Sequence, residues 1–386
     1  MIEHLAVKQK LLRQVRRAVI KIGSSILSGP AGIQEERLAS LVAEICALHR
    51  KGVGCVVVTS GAVAAGVVGL GLRQRPRTIP ERQAAAAVGQ IDLMALYKRY
   101  AAEHGVRVAQ ILLTHDDLAS RRRYLNARHT METLLAARVL PVTNENDTVV
   151  TDELLNFGDN DNLSALVAGL VGADVLVLLS DVAGVFTANP QDDPEAKLVP
   201  VIGNPARLSG IRVEGRGAVG TGGMASKLAA ARKAAHAGIP TVIADGLSPG
   251  IVGRVFDLQQ AVGTIVVPRQ DRLAKRKHWI AYTLKPAGSV VVDRGAFEAI
   301  SRRGRSLLPS GIRAVQGRFE AGDCVRCLTE DGLEFARGLV NYAAEDLERL
   351  KGVHSSRIEE VLGYKTTDEV IHRDDLVLLH EVAATH

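Results

Sequence analysis

The sequence has 386 residues, of which 47% are hydrophobic and only 3% aromatic, and its formal net charge is +6. This length exceeds what one hydrophobic core usually covers, so it predicts two domains. The modest charge and the scarcity of aromatic side chains argue against a dedicated nucleic-acid binder. No run approaches 18 apolar residues and the N-terminus lacks an apolar signal core, so we expect a soluble cytoplasmic protein outside the membrane.

Four cysteines in a chain of this length do not indicate a disulfide scaffold. Cys324 and Cys327 have the C-x-x-C spacing of a metal knuckle, but they lie in a short alternating run and no matching ligand pair follows. We therefore interpret them as structural cysteines, and the sequence predicts no metal site.

Short apolar runs alternate with helical patterns from the N-terminus to about residue 268. Strands are predicted at 17–22, 54–60, 106–113, 139–143, 174–179 and 240–244. Helices are predicted at about 34–51, 80–104, 121–137 and 224–237. This alternation is typical of an α/β fold in which a mostly parallel sheet is sandwiched by helices, and we assign residues 1–268 to it.

The pattern changes after Pro268. Residues 269–285 are charged and read as a linker, followed by a small β-rich domain at 286–370 and a C-terminal tail at 371–386. From residue 269 onward there are 19 Lys and Arg against 18 Asp and Glu, so this part has almost no net charge.

Polar clusters at strand ends point to a site between residues 141 and 181. One cluster spans Asn144–Asp147 and a second spans Gly158–Asn162. The apolar run ADVLVLLS ends at Ser180 and is followed directly by Asp181. These residues fit no amphipathic repeat. Ser60 also follows a strand and precedes a run of small residues, which serves either ligand contact or close helix packing.

Two lysines indicate where phosphate would bind. The chain has no Walker loop, and its G-x-G-x-x-G match at 215–220 follows a short polar segment rather than a strong strand. Lys21 precedes a Gly-Ser-Ser turn, and Lys227 follows a glycine-rich loop in the first turn of a predicted helix, where the dipole disfavours a cation. With Asp161 between them in sequence, the lysines suggest phosphoryl transfer by charge stabilisation.

The motifs VIKIGSS, VVVTSGAVAAG, YLNAR, PVTNENDTV, GDNDNLSA, LLSDVAGVFTANP and GTGGMASK occur in this order. Together they resemble the successive motifs of the glutamate 5-kinase family, in the amino-acid kinase superfamily. The C-terminal part, with its SLLPSGI segment, resembles a PUA domain. The resemblance covers nearly the whole chain, and Ser180 stands where the family commonly has threonine, which preserves the hydroxyl.

This resemblance implies ATP-dependent phosphorylation of the γ-carboxylate of L-glutamate, the first step of proline biosynthesis. It implies that Lys21 and Lys227 stabilise the transferred phosphoryl group and that Asp161 holds both lysines. The residues implied to bind glutamate are Ser60, Asn144, Asp147 and Asn160. Those implied to bind ATP are Lys21, Ser180, Asp181, Thr221, Gly222, Gly223, Met224, Ala225, Ser226 and Lys227. Mg²⁺ would be carried by the ATP phosphates.

The resemblance also implies a homo-oligomer, feedback inhibition by proline and glutamate-5-semialdehyde dehydrogenase as a partner. Another amino-acid kinase activity, on N-acetylglutamate, aspartate or a nucleoside monophosphate, is the main alternative; the paired polar clusters and the PUA-like domain argue against it. PUA-like domains often bind RNA, but the low charge and few aromatic residues of this one argue against RNA as a partner.

Overall fold

The computed structural model describes residues 2–29, 32–72, 74, 76–149, 160–190, 192–203, 223–268, 280 and 284–379. The chain divides into two compact units, Met1–Arg272 and Leu273–His386. None of the helices in these ranges is long and apolar enough to cross a membrane.

The first unit combines ten helices and ten strands among its described residues. The helices are α1 (Ile2–Leu12), α2 (Ser24–Leu27), α3 (Glu35–Arg50), α4 (Ala62–Gly69), α5 (Ile79–Glu103), α6 (His115–Ala119), α7 (Arg121–Ala136), α8 (Asn160–Val171), α9 (Met224–His236) and α10 (Ile251–Phe256). The strands are β1 (Arg17–Ile22), β2 (Ser28–Gly29), β3 (Gly32–Ile33), β4 (Gly54–Val58), β5 (Arg107–Leu113), β6 (Val139–Glu145), β7 (Val175–Ser180), β8 (Val201–Ile202), β9 (Thr241–Asp245) and β10 (Thr264–Val266).

Eight of these strands form one sheet in the order β5-β6-β4-β1-β7-β9-β10-β8. Every neighbouring pair is parallel except β9 and β10, which are antiparallel. Strand β7 is buried along its whole length, as expected for a sheet covered on both faces. The prediction of a mostly parallel sheet between helices is confirmed.

The register of the central strands sets the place of the site. Lys21 in β1 lies level with Val58 in β4 and with Leu178 in β7, and Val58 lies level with Thr143 in β6. Because these strands are parallel, their carboxyl ends meet at one edge of the sheet. The segments that follow Ile22, Val58, Glu145 and Ser180 therefore begin at this edge.

Helix α1 was not predicted, and its buried residues explain why. The helix buries His4, Lys8 and Leu12, which are spaced four residues apart on one face. Two of these three side chains are polar, so no apolar repeat reveals the helix in the sequence. The ammonium of Lys8 donates to the backbone carbonyls of Arg254, at 2.8 Å, and Gln260, at 2.6 Å.

The second unit is built on a five-stranded sheet in the order β12-β11-β13-β14-β15. Its strands are β11 (Gly288–Val292), β12 (Ile312–Gly317), β13 (Cys324–Leu328), β14 (Glu334–Leu339) and β15 (Leu376–Leu378). Its helices are α12 (Arg294–Arg303), α13 (Ala344–Leu350) and α14 (Ile358–Leu362), with 3₁₀ turns at Pro309–Gly311, Ser355–Arg357 and Arg373–Asp375.

Two sequence predictions concern this unit. Residues 371–386 were predicted as a tail, but Ile371 is buried in the core and β15 pairs with β14, so the ordered sheet extends past residue 370. A strand of three residues is too short for its alternation to be recognised. Cys324 and Cys327 are free and buried in β13, and burial raises the pKa of Cys324 to about 12. The residues that the structure describes contain no group of three or more His, Cys, Asp or Glu side chains that could hold a metal ion.

Candidate active site

A buried carboxylate between two lysines lies at the carboxyl edge of the sheet. Asp161, in the first turn of α8, is 1% exposed. Its Oδ1 lies 2.6 Å from the Nζ of Lys21, and its Oδ2 lies 3.3 Å from the Nζ of Lys227. The Ser226 hydroxyl donates to Oδ2 at 2.6 Å. Three segments far apart in sequence are thus joined through one side chain.

The charge state of this cluster follows from its surroundings. Burial by itself raises the pKa of Asp161, but the charges of Lys21 and Lys227, with hydrogen bonds from Lys21 and Ser226, hold this pKa below its usual value. The carboxylate is therefore ionised near neutral pH. Two ammonium groups share one carboxylate, so the cluster keeps a net positive charge.

Asp161 also accounts for the position of Lys227 in helix α9. Lys227 lies in the first turn, where the positive end of the helix dipole disfavours a cation. The sequence suggested that a bound anion would offset this cost. The structure supplies an anion from the chain itself, because Asp161 contacts the ammonium directly.

Next to Asp161, Asn160 begins a chain of side-chain amides. Its Nδ2 donates to the backbone carbonyl of Thr59 at 2.7 Å and to Oδ1 of Asn144 at 3.0 Å, and it lies 3.0 Å from the hydroxyl of Ser60. Asn144 in turn donates from its Nδ2 to Oε1 of Gln90 at 2.8 Å. Three of the residues implied to bind glutamate, Ser60, Asn144 and Asn160, therefore lie together.

Helix α5 supports this chain at two points. Gln90 accepts from Asn144, and Tyr97, two turns further along, shares a hydrogen bond of 2.9 Å with the hydroxyl of Thr59. The sequence analysis missed Gln90, Tyr97 and Thr59 as members of the site. Their only signal is that Gln90 and Tyr97 are seven residues apart on one helix face, and this pattern also occurs in ordinary cores.

Close contact between α4 and α5 fixes the position of this support. A β-carbon on Gly89 would lie 2.0 Å from the carbonyl oxygen of Ala62, and one on Gly66 would lie 1.7 Å from that of Ala85. Only glycine permits such contact between the two main chains. Helix α4 begins directly after Ser60 and Gly61, so the same contact also positions Ser60.

The other predicted residues lie at strand and helix ends of the same edge. Asp147 follows β6, and burial raises its pKa to about 6. Ser180 ends β7 and donates to Oδ1 of Asp181 at 3.1 Å. Gly223 is the N-cap of α9, and Met224 and Ala225 open that helix. Thr221 and Gly222 lie outside the described residues, as does the 215–220 glycine motif.

Taken together, the edge of the sheet has two chemically different halves. One half presents the ammonium groups of Lys21 and Lys227, which suit a transferring phosphoryl group. The other presents neutral amides and the Ser60 hydroxyl, which suit a polar acceptor. In the described part of the chain, no buried histidine lies between them to serve as a general base.

Comparison with known proteins identifies the family of the chain. The amino acid kinase family model matches residues 16–245, and the PUA domain model matches residues 288–362. A glutamate 5-kinase of Geobacter sp. (strain M21) is 51% identical over 374 residues, covering 96% of this chain and all of that protein. A glutamate 5-kinase of Chromohalobacter salexigens is 48% identical over 382 residues, covering 98% of this chain and all of that protein.

A solved UMP kinase from Bacillus anthracis aligns with 66% of this chain and 97% of its own, at 18% identity and a TM-score of 0.45. The family is shown by the sequence relationships. The chain belongs to the amino acid kinase family, and within it to the branch whose curated members are named glutamate 5-kinases.

Proposed function

We propose that this protein transfers the γ-phosphoryl group of ATP to the γ-carboxylate of L-glutamate. The observation that carries the proposal is the pair of buried ammonium groups, Lys21 and Lys227, held on one carboxylate beside a cluster of neutral amides. Identity of about half over the whole length of named glutamate 5-kinases supports the choice of acceptor.

In the reaction, one oxygen of the glutamate γ-carboxylate attacks the γ-phosphorus of ATP. A new oxygen–phosphorus bond forms, the bond to the bridging oxygen of ADP breaks, and the products are γ-glutamyl phosphate and ADP. The acceptor carboxyl has an ordinary pKa of about 4.3, so it is already an anion near neutral pH. No proton has to be removed, which fits a site that offers cations rather than a base.

The two lysines share two roles in this scheme. Both reduce the repulsion between the anionic acceptor and the phosphates, and both stabilise negative charge on the phosphoryl group as it moves. Asp161 does not take a proton; it orients the two ammonium groups. We place Ser180, Asp181 and the 221–227 loop at the nucleotide. We assign Mg²⁺ to the nucleotide substrate, as MgATP.

The acceptor is recognised by the second half of the site. We assign Ser60, Asn144 and Asn160 to hydrogen bonds with glutamate and Asp147 to its α-ammonium group. Asn160 uses the two hydrogens of its amide on Thr59 and Asn144, which leaves the hydroxyl proton of Ser60 available to a substrate carboxylate.

The direct test is an acyl-phosphate assay. Purified protein is incubated with MgATP and either glutamate, N-acetylglutamate, aspartate or UMP; hydroxylamine traps any acyl phosphate as a hydroxamate, and ADP release is followed in parallel. We expect hydroxamate and ADP in equal amounts with glutamate and at least tenfold lower kcat/KM with the other acceptors. Turnover of another acceptor in preference to glutamate would refute the proposal.

The remaining proposals follow from the same family. We propose that the reaction is the first step of proline biosynthesis, that proline inhibits it, and that glutamate-5-semialdehyde dehydrogenase receives the product. We also propose a homo-oligomer located in the cytoplasm. Addition of proline to the hydroxamate assay tests the proposed inhibition. Light scattering of the purified protein tests the proposed oligomer.

A further inference from the structure

We propose that Gln90 is a substrate-binding residue whose Nε2 donates to the α-carboxylate of glutamate, the carboxylate that is not phosphorylated. The inference rests on the proposed function and adds a residue that determines acceptor specificity. It depends on three observations: the orientation of the amide chain, the atoms that this chain leaves unpaired, and the place of Gln90 relative to the lysines.

The orientation of all three amides follows from one backbone carbonyl. The carbonyl of Thr59 can only accept, so the group of Asn160 that faces it at 2.7 Å must be the NH₂. The same NH₂ faces Asn144 at 3.0 Å, so Asn144 presents its oxygen there and its NH₂ to Gln90. Gln90 must then accept through Oε1, which leaves its Nε2 as the terminal donor.

Among the three linked amides of Asn160, Asn144 and Gln90, two buried atoms have no hydrogen-bond partner in the described residues. They are the Oδ1 of Asn160, an acceptor, and the Nε2 of Gln90, a donor. Gln90 is only 9% exposed, so water does not compensate its donor well. An acceptor and a donor match the two groups at the head of an amino acid, an ammonium and a carboxylate.

The position of Gln90 selects one of the two carboxylates of glutamate. Asn160 is adjacent to Asp161, the residue that holds both lysines, and the amide chain runs from it through Asn144 to Gln90. Gln90 is therefore two hydrogen bonds away from Asn160. Of the three linked amides, it is the one separated from the lysines by the most hydrogen bonds. The γ-carboxylate must lie at the lysines to react, so the α-carboxylate is the group left for Gln90.

This arrangement explains selection by chain length as well as by charge. The lysines are fixed by Asp161, and Gln90 is fixed by the contact of α5 with α4 through Gly89. On this proposal, we expect an acceptor shorter by one methylene to leave the donor of Gln90 unpaired when its reacting carboxylate lies at the lysines. Loss of such a hydrogen bond discriminates more strongly than loss of apolar contact.

The test compares Gln90→Glu and Gln90→Met with the wild type. Gln90→Glu keeps an acceptor oxygen for Asn144 but replaces the NH₂ donor by a second oxygen. Gln90→Met removes both the acceptor and the donor. Assayed at about pH 8.5, where the new carboxyl is ionised, Gln90→Glu should raise KM for glutamate by about 10- to 100-fold. KM for ATP should change little. Because position 90 is buried, the melting temperature of Gln90→Glu should fall, so KM values are compared at a temperature where every variant is folded. Gln110→Glu, the same substitution at an exposed position of β5, is the matched control.

A second acceptor identifies the carboxylate involved. L-Isoglutamine keeps the γ-carboxylate but has a neutral amide in place of the α-carboxylate, and this amide can donate to an ionised glutamate at position 90. The ratio of kcat/KM for glutamate over isoglutamine should therefore fall at least tenfold in Gln90→Glu. An unchanged ratio would overturn the proposal. So would an unchanged KM for glutamate in Gln90→Glu together with a raised KM in Gln90→Met, because Gln90 would then only orient Asn144. Failure of the wild type to phosphorylate glutamate would instead reject the proposed function.

Discussion

The ammonium of Lys21 lies 2.6 Å from Oδ1 of Asp161, and both groups are almost fully buried. Lys21 lies in β1, a central strand of the sheet, and Asp161 lies in α8, the helix that precedes β7. This ion pair therefore connects the centre of the sheet to a helix packed on it. Since Lys227 occupies the second oxygen of the same carboxylate, removal of any member changes the charge that a phosphoryl group meets.

We expect Lys227→Ala and Lys21→Ala each to lower kcat by about 10²- to 10³-fold, as removal of one positioned charge-stabilising donor does in other enzymes. Steady-state kinetics with saturating glutamate and MgATP measure this. Lys98→Ala, at an exposed position of α5, serves as the control and should leave kcat unchanged. An unaltered kcat in both active-site variants would remove the lysines from the mechanism.

Asp161→Asn should make the protein less stable and more dependent on nucleotide. The substitution leaves two buried ammonium groups without their counter-charge, and such a loss typically costs about 3–5 kcal/mol. The phosphates of bound MgATP would restore part of that charge. Differential scanning fluorimetry should therefore show a lower melting temperature than the wild type and a larger increase on adding MgATP. Equal nucleotide-induced increases in both proteins would contradict this account.

Binding of glutamate should weaken in mild acid because of Asp147. Burial raises the pKa of this carboxyl to about 6, and only its ionised form attracts the α-ammonium group. As pH falls below about 6 the ionised fraction falls tenfold per pH unit, so KM for glutamate should rise correspondingly. Measurement of KM from pH 5 to 8 tests this, with Asp147→Asn as comparison. The variant should have a raised KM that no longer follows this titration; a wild-type KM independent of pH would exclude the role.

The contact between α4 and α5 should not accept a methyl group. The β-carbon of Gly89→Ala would lie 2.0 Å from a backbone carbonyl, so the helices must move apart, at a cost of about 1–3 kcal/mol or more. Because Gln90 is the next residue, KM for glutamate should rise more than KM for ATP. Gly253→Ala in α10 has open space around its β-carbon and should be neutral or slightly stabilising. A melting temperature that does not fall in Gly89→Ala would refute the contact.

Lys8 should make the stability of the first unit depend on alkaline pH. Burial lowers the pKa of Lys8 to about 8, below its ordinary value of 10.5, so the unfolded chain holds this proton to higher pH than the folded chain. Stability therefore rises as pH increases from about 8 to 10.5. Urea unfolding of wild type and Lys8→Met over this range should show the difference; Lys10→Met, on the exposed face of α1, should follow the wild type.

Much of the fold could be predicted because its periodicity is strong. The predicted helix at 34–51 is α3, Glu35–Arg50, and the helix predicted from Pro80 to His104 is α5, Ile79–Glu103. The central strands β4 and β7 are nearly continuous apolar runs, as expected for a sheet covered on both faces. Helix α1 could not be predicted in this way, because the face it buries carries His4 and Lys8.

The site was predictable where polar residues follow strands and much less so inside a helix. Asn144, Asn160 and Asp161 interrupt apolar patterns at element ends, and the structure brings them together. Gln90 and Tyr97 lie within α5, where a buried polar residue is indistinguishable in sequence from a solvated one. Their partners are Asn144 in β6 and Thr59 directly after β4, and only the three-dimensional register brings these strands together.

The glycine contact between α4 and α5 also has a thermodynamic consequence for ligand binding. Where the backbones of two helices are in direct contact, the flanking side chains lose conformational entropy during folding rather than when the substrate binds. The acceptor half of the site is therefore preorganised, and little of the binding free energy of glutamate is consumed in ordering the protein.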